Sequence, residues 1–254
     1  MISLQDVKDA QARIAPYVVR TPLLRIPALD APLGCQVYLK FEGFQVMGAF
    51  KIRGAMNKAL ALTPQQRSHG LVCASSGNHA QGVACAAQRL GVRSVIVMPT
   101  NANPVKLAGV KSFGGEVELV GTLSSQREAR AEELSRVEGM VNIHPYADPY
   151  VAAGQGTIGL EIVADLPDAA AVAVPIGGGG LISGVACILL VFSIRSLFQI
   201  QQSCWVRCGR EFFRHGALLS SEQWKVPDQR PFCRCLSKRL LYRNGQRPWI
   251  SHSL

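Results

Sequence analysis

Three groups of residues could do chemistry together. The first is an amine, Lys51, in Gly48-Ala49-Phe50-Lys51-Ile52-Arg53-Gly54-Ala55, a setting of small residues with few competing charges. The second is Ser75-Ser76-Gly77-Asn78-His79, a polar turn placed to open a helix. The third is the run Gly177-Gly178-Gly179-Gly180 after an apolar, strand-like stretch. A lysine buried among apolar neighbours has a lowered pKa, and its free amine can condense with an aldehyde. A glycine loop between strand and helix turns backbone N–H groups toward an anion. Together they suit an aldehyde cofactor with a phosphate tail, and pyridoxal 5'-phosphate has both.

Each group alone is less specific. The glycine run could serve a nucleotide or only a tight turn, and it is neither a Gly-x-Gly-x-x-Gly in a first βαβ unit nor a P-loop. Ser75–His79 suits a carboxylate at a helix N-terminus, but Ser and Asn are also ordinary caps. His79 alone reads as a cap or core histidine, and Lys51 alone as a solvated helix lysine. Their joint occurrence carries the functional reading.

These groups need a scaffold. Leu4–Ile14 has helical periodicity with Ser3 as N-cap, and Gln36–Lys40 alternates as a strand. Helices are predicted over Lys51–Leu62, His79–Leu90, Pro104–Phe113, Ser124–Val137 and Gly156–Leu166, and from Leu181 onward. Strands are predicted at Leu71–Ala74, Ser94–Met98, Glu116–Val120, Val141–Ile143 and Ala171–Ile176. Strand and helix alternate over residues 70–143, which implies a parallel sheet with helices on both faces.

The net charge of +10 over 254 residues raises a nucleic-acid reading that its distribution opposes. Residues 1–187 carry 16 Lys+Arg against 14 Asp+Glu; residues 188–254 carry 11 against 3. Of 28 alanines, 27 precede residue 188, whereas Trp205, Trp224 and Trp249 all follow it. So abrupt a shift marks residues 188–254 as a separate basic tail. A frameshifted reading of a longer gene, a genuine basic appendage and a metal-binding tail compete to explain it. Cys204-x3-Cys208 and Cys233-x-Cys235 lack zinc-pair spacing, although His215 and His252 are nearby, and no metal site is expected. The stretch Leu197–Cys208 fits neither a helical nor a strand template. Eight cysteines without a visible secretion signal point to reduced thiols in the cytoplasm. Cys35, Cys73 and Cys85 read as small core residues. No stretch is long enough to span a membrane.

The order of motifs from about residue 15 to 187 resembles the threonine dehydratase and serine racemase family of pyridoxal phosphate enzymes. The match rests on Thr21-Pro22-Leu23, Tyr38–Glu42, Gly48–Ala55, Ser75–Gly82, Val97-Met98-Pro99, Phe113-Gly114-Gly115, Ala153–Glu161 and Pro175–Ala186. The resemblance implies an α/β, two-lobed fold-type II architecture, like the tryptophan synthase beta chain, C-terminally incomplete here. Residues 1–65 and 148–187 would form the large cofactor-binding domain and 66–147 the small one. Lys51 would be the Schiff-base lysine, with Phe50 beside the pyridine ring and Asn78 on its phenolic oxygen. Gly177, Gly178, Gly179 and Gly180 would cradle the phosphate. Ser75, Ser76, Asn78 and His79 would grip the substrate carboxylate, and Ser76 would be the opposite-face acid/base in racemizing members.

The implied reaction is β-elimination from threonine or serine to a 2-oxo acid and ammonia. Alanine at position 49, where the family usually has serine, is more similar to the branch of serine racemases and hydroxyaspartate ammonia-lyases. The family's metal site and its late Ser or Cys at the ring nitrogen are not found in residues 188–254. That leaves an inactive fragment from a disrupted gene as a further reading, with little or no lyase activity expected. The implied partner is a small hydroxy amino acid, with no nucleic acid and no membrane, and intact members are expected to be homo-oligomers.

Overall fold

A computed structural model describes residues 2–192, 194–200 and 204–208. The chain opens with helix α1 (Leu4–Ile14), closed at its start by a capping box between Ser3 and Asp6. A two-stranded antiparallel ribbon follows, β1 (Leu23–Arg25) on β2 (Tyr38–Lys40), with the short helix α2 (Pro27–Leu33) between them. Gly48, at φ +74°, makes the turn that admits helix α3 (Lys51–Ala61). Helix α4 (Pro64–Ser68) carries a second capping box, from Thr63 and Gln66.

The next unit holds β3 (Leu71–Ala74), α5 (Asn78–Leu90), β4 (Ser94–Met98), α6 (Pro104–Ser112), β5 (Glu116–Leu119), α7 (Ser124–Glu138) and β6 (Val141–Asn142). Its four strands run parallel in the order β5-β4-β3-β6. Side chains alternate across the pleat, and the core follows that period. Leu71, Cys73, Ile96 and Met98 face α5 and α6 and join Val83, Ala84 and Val110. Val72, Val95 and Val97 face the other way, onto Ala131 and Leu134 of α7. Full burial of a side chain such as Ile96 contributes roughly 1.5–3 kcal/mol.

Helix α8 (Pro149–Asp165), strand β7 (Ala171–Ile176) and helix α9 (Gly180–Val191) complete the part the sequence outlines. Val7 and Ala10 of α1 pack with Ile158 and Ile162 of α8, Val174 of β7, and Val185, Ile188 and Leu189 of α9. Helix α3 lies between these masses, buried at Ile52, Arg53, Gly54, Ala55, Met56, Asn57 and Ala59. Among the described residues, no helix is long and apolar enough to cross a membrane.

Three expectations need correction. Helix α8 begins at Pro149, seven residues before the predicted Gly156. Its glycines, Gly154, Gly156 and Gly159, have weak helical preference, but Asp148 caps the N–H groups of Tyr150 and Val151, and tertiary packing supplies the rest. Cys35 is exposed and not a core residue, because it follows the left-handed Gly34 that ends the outlying helix α2. Residues 197–200 and 204–208, read as neither helix nor strand, lie in two strands. Helix α9 runs to Val191, β8 (Arg195–Ile200) lies parallel to β7, and β9 (Cys204–Cys208) is antiparallel to β8. Backbone pairing along β7 needs no side-chain alternation, so the pattern of residues 197–208 concealed these strands. The expectations for residues 209–254, including Cys233, Cys235, His215 and His252, lie outside the described residues.

Candidate active site

The strand order places the site. The chain goes from β3 outward to β4 and β5, then returns to add β6 on the other side of β3. The order therefore reverses between β3 and β6, and ligands of open parallel sheets bind beyond the carboxyl ends of strands at such a reversal. Ser75–Asn78 follow the end of β3, and His144-Pro145-Tyr146-Ala147 follow the end of β6.

Lys51 is the first residue of α3 and extends toward this crevice, where its Nζ donates to the Pro145 carbonyl at 2.8 Å. Burial lowers the pKa of its amine. The Phe50 ring lies 5.4 Å from Nζ and packs against the cluster of α1, α8 and α9.

Close helix packing holds Lys51 there. A Cβ at Gly82 of α5 would stand 3.3 Å from the Lys51 carbonyl carbon, and one at Gly154 of α8 only 2.6 Å from the Arg53 carbonyl oxygen. Glycine lets α3 and α8 approach where any side chain would force them apart.

Of the turn after β3, Ser75 is half-buried and Ser76 exposed. The Ser75 N–H bonds the Val97 carbonyl, and its Oγ accepts the Gly77 N–H at 3.4 Å. Asn78 is exposed, and its Oδ1 accepts from Lys106 Nζ at 2.7 Å. The His79 side chain turns inward, where its Nε2–H donates to the Ile143 carbonyl at 2.7 Å. A carbonyl only accepts, so Nε2 carries the proton, and the buried Nδ1 has no partner. Burial pushes the His79 pKa down to about 3, so the ring is neutral at ordinary pH. At the mouth of the turn His79 presents its backbone N–H and not its ring.

The glycine loop lies against the same segment. A Cβ on Gly178 would come within 2.1 Å of the Tyr146 ring, and one on Gly180 within 2.9 Å of the Tyr146 Cα. Gly179 takes φ +93°, a left-handed conformation that aims the loop into α9. Gly177 and Gly179 border open space on their Cβ sides, and the first N–H groups of α9 lack intrahelical partners, as at every helix start.

Residues 143–147 thus touch all three groups: His79 beside Asn78, Lys51, and the glycine loop. Two cavities of about 180 and 350 Å³ lie elsewhere, beside Arg53 and Glu161 and beside Asp6 and Tyr150. Lys51 and Gly178 therefore both lie against the β6–α8 segment and not around one of these cavities, while the Asn78 side chain bonds Lys106. An amine free of charge competition, glycine N–H groups at a helix start and N–H groups at a polar turn fit an aldehyde with a phosphate and an amino-acid carboxylate.

Sequence reasoning passed over two features here. One is His144-Pro145-Tyr146 itself, for which the signal was a polar and aromatic run directly after a parallel strand. The other is a buried ionic network behind Lys51. Arg53, wholly buried, donates to Glu42 at 2.8 and 2.9 Å, to Glu161 at 2.6 and 3.0 Å, and to Thr157 Oγ1 at 3.0 Å. Lys40 pairs with Glu161 at 2.6 Å. Burial alone would lower the Arg53 pKa, but the bonds to Glu42 and Glu161 outweigh it and the net shift is upward.

Residues 14–191 match the family described as pyridoxal-phosphate dependent enzyme. An L-threonine ammonia-lyase of Thermotoga maritima is 48% identical over 186 residues, which are 73% of this chain and 46% of that protein. The catabolic L-threonine dehydratase TdcB of Staphylococcus aureus is 45% identical over 194 residues, 76% of this chain and 56% of that one. Among solved structures, maize serine racemase superposes with a TM-score of 0.76 at 43% identity, covering 78% of this chain and 60% of its own. The chain spans about half the length of the curated relatives it matches.

Proposed function

Because this chain belongs to the pyridoxal-phosphate dependent enzyme family, we propose that it serves ammonia release from a small hydroxy amino acid, L-threonine or L-serine, yielding a 2-oxo acid. The observation that carries this reading is the desolvated Lys51 amine at the β3/β6 reversal, joined through residues 143–147 to the turn and to the glycine loop.

Lys51 would hold the cofactor's aldehyde carbon, with Phe50 beside the ring and Asn78 toward the ring oxygen. The N–H groups at Gly177, Gly178, Gly179 and Gly180 would hold its phosphate, helped by the positive end of α9. Bound there, the cofactor supplies an electron sink for the pair left at the substrate α-carbon. The substrate carboxylate would sit on the Ser75–His79 turn, where the N–H groups at the start of α5 face outward. Lys51, displaced by the substrate amine, would take the α-proton; its lowered pKa makes the neutral form available for that transfer. Passed on to the β-hydroxyl, that proton would let it depart as water, and hydrolysis of the resulting enamine would give the 2-oxo acid and ammonia.

A second reading, amino-acid racemization, has its own support. Ser76 is exposed on the turn, as an opposite-face proton donor would need to be. Maize serine racemase also shares the described architecture.

Borohydride reduction in the presence of pyridoxal phosphate, followed by peptide mapping, tests the assignment. The label should fall on Lys51; label on Lys40 or Lys58 would overturn it. Assay of 2-oxo acid against loss of chirality separates lyase from racemase.

A further inference from the structure

The segment that joins the three parts of the site has its own internal support. His144 Nδ1 accepts the N–H of Ala147 at 2.8 Å and that of Tyr146 at 3.3 Å. Its ring meets the Tyr146 ring edge-on, centroids 4.6 Å apart at 87°. The N–H groups of Tyr146 and Ala147 thus find a side-chain acceptor in place of the backbone carbonyl of an ordinary turn. The same turn points the Pro145 carbonyl at Lys51 Nζ and lays Tyr146 on Gly178 and Gly180.

We propose that His144 is a positioning residue: its neutral imidazole ties the Pro145–Ala147 turn, and the turn shields and orients the Lys51 amine. The inference rests on the reading of Lys51 given above and extends it to a residue that does not itself touch the amine. It also makes the device sensitive to protonation. A protonated His144 has no lone pair at Nδ1, so both turn bonds are lost together. Burial disfavours the charged ring. Glu128 from α7 and Asp148 at the start of α8 favour it, and Lys51 from α3 and His79 from α5 face it as well. When the turn loosens, water replaces the Pro145 carbonyl as acceptor and solvates the ammonium form, so the Lys51 pKa rises toward its ordinary value.

The test is the pH dependence with which an acylating reagent labels Lys51 in the full chain without cofactor, read by peptide mapping. His144→Phe keeps an aromatic ring and removes the acceptor; His144→Asn keeps an acceptor where Nδ1 stood. His144→Phe should move the half-labelling pH of Lys51 upward by roughly one unit, with His144→Asn close to the parent. No shift in His144→Phe, or an equal shift in both variants, would overturn the proposal.

A second measurement needs no variant and holds even if His144→Phe does not fold. Amide exchange at Tyr146 and Ala147 should lose protection as the His144 ring protonates, followed by NMR, while the amides of β3 and β4 stay protected. Unchanged protection at those two amides would equally sink the idea. Both readouts concern the free amine and its turn, so they remain informative even if borohydride mapping places the cofactor on another lysine.

Discussion

Two residues near Lys51 have properties that only burial could give them. His79 titrates near 3 in the fold and near 6.5 in a free chain, so between those values the unfolded state binds the extra proton. Stability is then fully present above about pH 6.5 and falls as pH drops toward 3, by an amount on the order of a few kcal/mol. Urea unfolding midpoints should decline from pH 7 to pH 4.5, and His79→Gln should flatten that slope; equal slopes would remove His79 as the cause. The Arg53 network makes a second prediction. Glu161→Gln leaves Arg53 and Lys40 with less compensation in a buried place, at a cost of about 3–5 kcal/mol. Denaturant melts would show it, and a loss under 1 kcal/mol would mean that water reaches the network. Lys51→Ala should reduce any 2-oxo acid release by a factor on the order of 10³ or more, with the fold unchanged by circular dichroism.

At the scale of elements, the site depends on how closely α3, α5 and α8 approach. Gly154 meets backbone atoms of Arg53 and Gly54, which cannot swing aside as a side chain could. Gly154→Ala should therefore destabilise the protein by roughly 1–3 kcal/mol despite the better helical preference of alanine. It should also shift Lys51, and hence cofactor uptake, more than an alanine at Gly91 would shift it. Helix ends are where sequence reading did best and worst. Ser3 and Asp6 announced the start of α1 and formed it. Asp148-Pro149 announced the start of α8 just as plainly, but the small residues that follow obscured the helix. Those small residues permit the close crossing with α3 and α9, a use that propensity does not encode.

For the whole molecule, the division into a small domain at 66–147 and a large one from the flanking segments is a proposal with a physical consequence. The sheet β5-β4-β3-β6 has helices on both faces; one face packs on α7, the other shares a core with α3, Ile14 and Val151, and α1, α8, β7 and α9 share a further one. Native-state hydrogen exchange should find the amides of β3, β4 and α5 opening together, separately from those of α8 and α9. A single opening energy across both sets would argue for one cooperative unit. Because residues 188–254 depart so sharply in composition, we propose that any ammonia release by this chain from threonine is small beside that of the L-threonine ammonia-lyase it is similar to. An equal rate under saturating cofactor would show that the parts described here suffice.

The alternation of strands and helices over residues 70–143, the lysine, the polar turn and the glycine loop were all determined locally, by periodicity, capping and the special freedom of glycine. Ordered along the chain, they were enough to indicate the family. Tertiary structure alone decided what stands between them. The ring of His79 points away from the crevice because a buried carbonyl at Ile143 is its partner, 64 residues distant. Lys51 finds Pro145, 94 residues away, because β6 returns to the free side of β3. Arg53 can be wholly buried because Glu42 and Glu161 reach it from two other elements. A sequence specifies such partners only through the complete fold, since the energy that selects them, desolvation against pairing, exists only once both groups have left water.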